Sequence, residues 1–159
     1  MPVFDASSMI YAWDNYPVRQ FPGLWEWMAT QIADEKIVMP TVAFDEVSHM
    51  APECGEWLRD NGLVRLAITN PVLQDALRFK NLLGIQGDKY GAGVDENDLL
   101  IIATARKHKS ELVSDERRQP DLPKQKHNFK IPAVCAMPEV GVYCINFIQY
   151  LKRSEAVFR

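Results

Sequence analysis

The segment that most restricts the fold is VDENDLLIIATARKHK, residues 94–109. It opens on acids and closes on bases, the polarity a helix dipole favours. Its run LLIIA is apolar around nearly the whole circumference, so the helix has no face to offer water. Such a helix must be enclosed by other elements, which places it at the centre of a substantial core.

The rest of the chain supplies that surround. PVFD, residues 2–5, reads as a short first strand, with a helix from about Ser7. FPGLWEWMATQIADE is an amphipathic helix, with Leu24, Trp27, Met28, Ile32 and Trp25 as candidates for its inner face. KIVMP is a buried strand stopped by Pro40, and TVAFDEVSHM follows as a helix with Thr41 suited to its N-cap. GEWLRDNG continues the helical region to Gly62, and LVRLAI reads as a strand or an extended connection. PVLQDALRFKNLLG has proline near its start and glycine near its end, the asymmetry of a helix. After the central helix come a strand, ELVSD, an extended edge segment, FKIPAV, a last strand, VYCI, and a helix, NFIQYLKR. Short hydrophobic strands alternating with helices predict one domain, residues 1–159, of three-layer α/β/α type around a mostly parallel sheet. Ligand sites in such folds gather at the carboxyl ends of the strands.

Acids fall at those ends. Asp5 closes the first strand, and Asp115 and Glu116 follow ELVS. Glu46 shares a helix stripe with Val42, Ala43, Val47 and Met50, and Asp98 shares one with Ile101, Ile102 and Ala105. An acid on an apolar stripe needs a partner, because desolvating a lone carboxylate costs several kcal/mol. No basic residue has comparable inward spacing, which leaves a divalent cation as the economical partner. Each acid also has an ordinary reading. Asp5 suits an N-cap, and so does Asp95, with Asp98 then in the first turn. Glu46 faces solvent if its helix is rotated, and Asp115 and Glu116 alone would be turn residues.

Charge is unevenly divided. Residues 1–105 hold 7 Lys and Arg against 15 Asp and Glu, whereas residues 106–159 hold 11 against 6. The basic part includes Arg106, Lys107, Lys109, Arg117, Arg118, Lys124, Lys126 and Lys130. It reads either as a phosphate-attracting face beside the acids or as solvated surface. Cys54, Cys135 and Cys144 form no CxxC pair and suit reduced packing thiols in a cytoplasm. His49, His108 and His127 lie in polar stretches and read as structural or solvated, and no zinc motif is present. No run is long and apolar enough for a membrane span, and the N-terminus lacks the basic start of a secretory signal.

VFDASSMIYA, VAFDEV, DLLIIATA and ELVSDE, in that order, resemble the PIN-domain nucleases over nearly the whole chain. LWEWM, KIPAVC and GVYCINFIQYL are similar to a bacterial and archaeal PIN-like family related to the VapC-type toxins. The resemblance implies a metal-dependent ribonuclease with Asp5, Glu46, Asp98 and Glu116 catalytic, and Mg²⁺ or Mn²⁺ held by these together with Asp115 and Asp95. Ser114 and Glu116 match the last motif, although its acid is more commonly aspartate and Asp115 occupies the variable position. Ser7 and Ser114 would fix ligand rotamers, and Arg106, Lys107, Lys109, Arg117 and Arg118 would contact RNA. Tyr11, Trp13 and Tyr16 are either core aromatics or stacking platforms for unpaired bases. The toxin relationship implies an antitoxin partner and a homodimer. Two other readings compete. A haloacid-dehalogenase-like phosphotransferase would need a second aspartate where Ser7 stands, and a PIN-like scaffold would bind RNA or protein without cutting.

Overall fold

The computed structural model describes all 159 residues. A five-stranded, all-parallel sheet forms its middle layer, flanked by helices. The strands are β1 (Val3–Phe4), β2 (Val38–Pro40), β3 (Val64–Leu66), β4 (Leu112–Val113) and β5 (Cys144–Ile145). The helices are α1 (Ala6–Asn15), α2 (Pro22–Ala33), α3 (Thr41–Met50), α4 (Pro52–Asp60), α5 (Asn70–Leu82), α6 (Glu96–Lys107), α7 (Ile131–Cys135) and α8 (Phe147–Ser154). None of them is long and apolar enough to cross a membrane.

The strands are short and apolar because both faces are covered, as parallel strands require. Val3, Phe4, Val38, Met39, Leu112 and Val113 are fully buried. The outer strand β3 is only partly buried and exposes Arg65, whose guanidinium lies 4.8 Å from the Phe44 ring centroid. The spatial order β3-β2-β1-β4-β5 matters for function. From β1 the chain builds outward through β2 to β3, then returns to lay β4 and β5 on the opposite side of β1. Between β1 and β4 the connections therefore diverge and leave a crevice above the strand ends, the usual ligand position in such sheets. Val3 pairs with Leu112 and Phe4 with Val113, which brings Asp5 and Ser114 to the mouth of that crevice together.

Helix α6 is the enclosed helix that its sequence demands. Every residue from Leu99 to Ala105 is buried, and a capping box between Asp95 and Asp98 starts it. In α2, Trp25 is fully buried and its indole donates to the Tyr16 carbonyl at 2.6 Å, while Trp27 is only half-buried. Trp13, Trp25 and Trp57 contact one another in tilted and edge-on arrangements.

Three local expectations are corrected. FKIPAV is not an extended edge, since Ile131–Cys135 forms α7, with Pro132 in the first turn, where a missing N–H does no harm. Thr41 does not cap α3. It is the first helical residue, preceded by Pro40 in the N-cap position with no side-chain cap bond. Met50 does not face the core either, being 68% exposed at the end of α3, where the chain breaks to begin α4 at Pro52.

Candidate functional site

The crevice between β1 and β4 is built on Asp5. Its backbone N–H continues the sheet by donating to the Val113 carbonyl at 3.0 Å. Its carboxylate caps α1, accepting from the Ser8 N–H at 2.8 Å. Ser7 Oγ lies 2.9 and 2.8 Å from the two carboxylate oxygens, and with one hydroxyl proton it serves one of them at a time. Ser114 Oγ donates to the second oxygen. Asp5 is 2% exposed, and its pKa rises to about 6 because burial outweighs these donors. Ser7 and Ser114 thus both bond to Asp5, which also caps α1.

The same serines position the last acidic pair. Asp115 N–H donates to Ser7 Oγ at 2.9 Å, and Glu116 N–H donates to Ser114 Oγ at 3.2 Å. From there the two carboxylates separate. Asp115 accepts the Phe147 N–H at 2.9 Å, in the first turn of α8, with the Arg118 charge near it. Glu116 instead lies within electrostatic reach of Glu46 and Asp98. Of the two acids left open by the sequence, Glu116 is the one that joins the others, and Asp115 fastens β4 to α8.

Asp98 stands in the first turn of α6. It exchanges hydrogen bonds with Asp95: Asp98 N–H donates to Asp95 Oδ1 at 2.8 Å, and Asp95 N–H to Asp98 Oδ2 at 3.0 Å. Its pKa is pushed up to about 8, chiefly by burial and further by the charges of Asp95, Glu116 and Glu46. Glu46, from α3, is also raised by burial, with Asp95 and Glu116 adding to the effect. Against this, Asn97 Nδ2 donates to Glu46 Oε1 at 3.4 Å and favours the charged form. Acids from α3, from α6 and from the end of β4 therefore share one field. An open depression of about 590 Å³ lies beside them, lined by Glu46, His49, Asp95 and Asn97 among others.

None of these acids takes part in an ion pair. The three that exist join Arg78 and Arg106 to Asp75, and Arg153 to Glu111. As the side chains stand, no three His, Cys, Asp or Glu groups converge tightly enough to ligate one ion. Carboxylates that face one another without a counter-charge are expected to splay, and burial, with a smaller contribution from the neighbouring acids, raises the pKa values of Glu46 and Asp98. The donor set is all oxygen, which fits a hard cation such as Mg²⁺ or Mn²⁺ and not zinc.

The cations divide into two groups. Arg106 donates to Asp75 at 3.2 Å and to the Val140 carbonyl at 3.2 Å, and Lys107 donates to Thr69 Oγ1 at 2.9 Å. Both close α6 at its far end, about 12 Å or more along the helix from Asp98, and Lys109 lies just beyond. Their expected place beside the acids is therefore corrected: the helix that carries Asp98 to the crevice carries these three away from it. Arg117 and Arg118 do flank the site, directly after Glu116, with Arg118 bonded to the Cys144 carbonyl at 3.0 Å.

Tyr11 and Tyr16 are half-buried and pack against Phe147, and Trp13 packs against Trp25, so all three are built into the aromatic core. His49 and His108 are exposed and His127 is half-buried. Cys54 and Cys135 are buried free thiols, and burial pushes Cys54 up to about 12. Asn97 was not among the residues expected at the site; its signal was its position between Glu96 and Asp98 in the first turn of a capped helix.

A family model described as a domain of unknown function, DUF4411, matches residues 3–158. No curated protein matches the chain.

Proposed function

This chain belongs to the DUF4411 family, and we propose that it is a divalent-metal-dependent nuclease of PIN type, hydrolysing phosphodiester bonds in RNA. One observation carries the reading. Three acids from separate elements, Glu46, Asp98 and Glu116, lie within electrostatic reach of one another, with the pKa values of Glu46 and Asp98 raised, and none of them forms an ion pair. A protein gains nothing in stability from such a grouping, whereas a bound cation makes it favourable.

In this reading Asp98, Glu46 and Glu116 would hold the ion, with Asp95 and Asp5 completing the acid set. When bound, Mg²⁺ or Mn²⁺ supplies a Lewis acid and lowers the pKa of a coordinated water. Asp98 would be held in its ionised form by such an ion, so binding would be accompanied by proton release below about pH 8. Asn97 orients Glu46, and Ser114 orients both Asp5 and the Glu116 backbone. RNA as substrate, an antitoxin partner and a homodimer come with the resemblance to VapC-type toxins and rest on the motifs alone. Free thiols support residence in a reducing compartment such as the cytoplasm.

A second reading, a PIN-like binding module without catalysis, is favoured by the saturation of Asp5 with serine and backbone donors, which suits a structural cap. Cleavage assays separate the two. Single-stranded and structured RNA are incubated with wild type, Asp98→Asn, Glu116→Gln and Asp5→Asn, with and without Mg²⁺ or Mn²⁺. The nuclease reading expects metal-dependent cleavage and a loss of at least about a hundredfold in Asp98→Asn. Equal activity in wild type and Asp98→Asn ends it. Full activity in Asp5→Asn alone leaves Asp5 as a cap.

A further inference from the structure

Between Glu116 and α7 the chain forms a strap, residues 117–130, that carries five Lys and Arg and a single acid, Asp121. This strap is closed and fixed. Gln119 spans its base, its Nε2 donating to the Asn128 carbonyl at 3.1 Å and its Oε1 accepting the Lys130 N–H at 2.8 Å. The strap is also fastened to the glycine loop that leads into α6. Val94 N–H donates to the Phe129 carbonyl at 2.9 Å, Ala92 N–H to Asn128 Oδ1 at 2.9 Å, and Lys130 Nζ to the Ala92 carbonyl at 3.2 Å. The approach is so close that a Cβ on Gly93 would stand 2.1 Å from the Phe129 oxygen. One end of the strap thus follows Glu116 directly, and the other is bonded to the residues just before Asp95.

Lys130 is used in these attachments and Arg118 donates to the Cys144 carbonyl, but Arg117, Lys124 and Lys126 are exposed and form no ion pair or side-chain hydrogen bond. Cations meant only to neutralise the neighbouring acids would pair with them, and these do not. They are carried by a loop whose one end follows Glu116 and whose other end is bonded to the residues just before Asp95, a placement that fits an external polyanion lying across those carboxylates. From this we infer that the strap is a rail for the phosphate backbone of a single-stranded nucleic acid, contacted by Arg117, Lys124 and Lys126. One short loop can follow one backbone, whereas a duplex presents two. The inference rests on the nuclease reading for what lies beside the rail, and it replaces the α6 end as the binding surface.

The test is fluorescence anisotropy with a fluorescein-labelled oligouridylate of about 12 nucleotides, in EDTA, across a salt series. The triple variant Arg117→Ser, Lys124→Ser, Lys126→Ser is compared with Lys36→Ser, Lys107→Ser, Lys109→Ser, which removes the same charge from the other end of the sheet. Each phosphate contact contributes about 0.7 to the salt slope on a single strand. The rail variant is expected to flatten the slope by about 2 and to weaken binding more than about tenfold at low salt, with the control near wild type. Circular dichroism of both variants checks that the fold is kept. Equal loss in the control, no loss in the rail variant, or no salt-dependent binding by wild type overturns the rail. So does displacement of the oligouridylate by polyglutamate of equal charge at equal concentration. Because binding is read without metal, a chain that binds along the rail but never cuts fails the nuclease reading alone. One that cuts while indifferent to the rail substitutions fails the rail alone.

Discussion

Ser114 Oγ donates to the buried carboxylate of Asp5, tying the end of β4 to the end of β1 across the crevice where the strand order reverses. The bond favours the ionised acid, because a carboxylate has only acceptors to offer a hydroxyl proton. Ser114→Ala should therefore destabilise the chain by about 1–3 kcal/mol, the range for a buried acceptor left short of a donor. It should also push the Asp5 pKa above its value of about 6. The penalty then appears where Asp5 is charged and fades where it is neutral, so urea unfolding should show a larger loss at pH 8 than at pH 5. Ser114→Thr keeps the hydroxyl and should recover most of it. A loss equal at both pH values would mean that the bond does not discriminate between the two forms of Asp5.

Metal-free protein should become less stable as pH rises. The folded pKa values, about 6 for Asp5 and about 8 for Asp98, lie above the ordinary aspartate value. The folded state therefore binds more protons than the unfolded chain between about pH 4 and pH 8. Their contribution is fully present below the unfolded pKa, declines as pH rises through the folded values, and is flat above them. A tenfold change in proton affinity corresponds to about 1.4 kcal/mol, so the decline amounts to several kcal/mol. Chemical denaturation in EDTA at pH 5, 6.5 and 8 measures it, and Asp98→Asn should flatten the upper part. Saturating Mn²⁺ should reverse the trend, since an ion that binds the ionised cluster stabilises only the folded state. Stability that is constant or rising from pH 5 to pH 8 in EDTA would contradict the burial of these acids.

What the sequence could disclose depended on how local each signal was. LLIIA announced a buried helix because residues all round a 3.6-residue turn must then face protein, and Leu99–Ala105 are buried without exception. Asp98 and Glu46 could be picked out because their stripe neighbours are apolar. Met50 misled because its position on the stripe carries no information about where α3 ends. FKIPAV looked extended because Pro132 resists the helix interior, but α7 is a single turn in which that proline sits at the start. The partition of Asp115 and Glu116 was not readable. It depends on which carboxylate faces the Phe147 N–H, a contact 32 residues distant in the chain. The basic residues were misplaced for a related reason: Arg106 and Asp98 are close in sequence, yet a straight helix holds them at opposite ends of the sheet.

Asn97 should act through Glu46. Its amide holds the Glu46 carboxylate toward the acids of α6 and lowers a pKa that burial has raised. In Asn97→Ala that support is lost, so the acid limb of a metal-dependent pH–rate profile should move upward and the rate below neutrality should fall about fivefold, equivalent to ~1 kcal/mol. Asn97→Asp adds another negative charge and should lower the melting temperature in EDTA at pH 8, with recovery in Mn²⁺. A purely structural asparagine would lower stability in both variants alike and leave the profile where it was.

Gly93 determines whether the strap can sit against α6. A Cβ there would meet the Phe129 oxygen at 2.1 Å and the Asn128 carbonyl carbon at 2.5 Å, both backbone atoms that cannot rotate aside. The obstacle is steric, since Gly93 is not in the left-handed region that favours glycine. Gly93→Ala must therefore separate the strap from the loop, at a cost of about 1–3 kcal/mol for overpacking, and the bond from Val94 N–H to the Phe129 carbonyl should open with it. Gly23→Ala is the comparison, because a Cβ there meets nothing nearer than 3.6 Å and the position is helical. It should be neutral or slightly stabilising. Hydrogen exchange distinguishes local from global loss. Val94 should exchange faster in Gly93→Ala by more than the overall destabilisation explains, while the amides within α6 follow global unfolding. If Val94 keeps its protection, the strap has moved as one body with the loop, and the acids of α6 have moved with it.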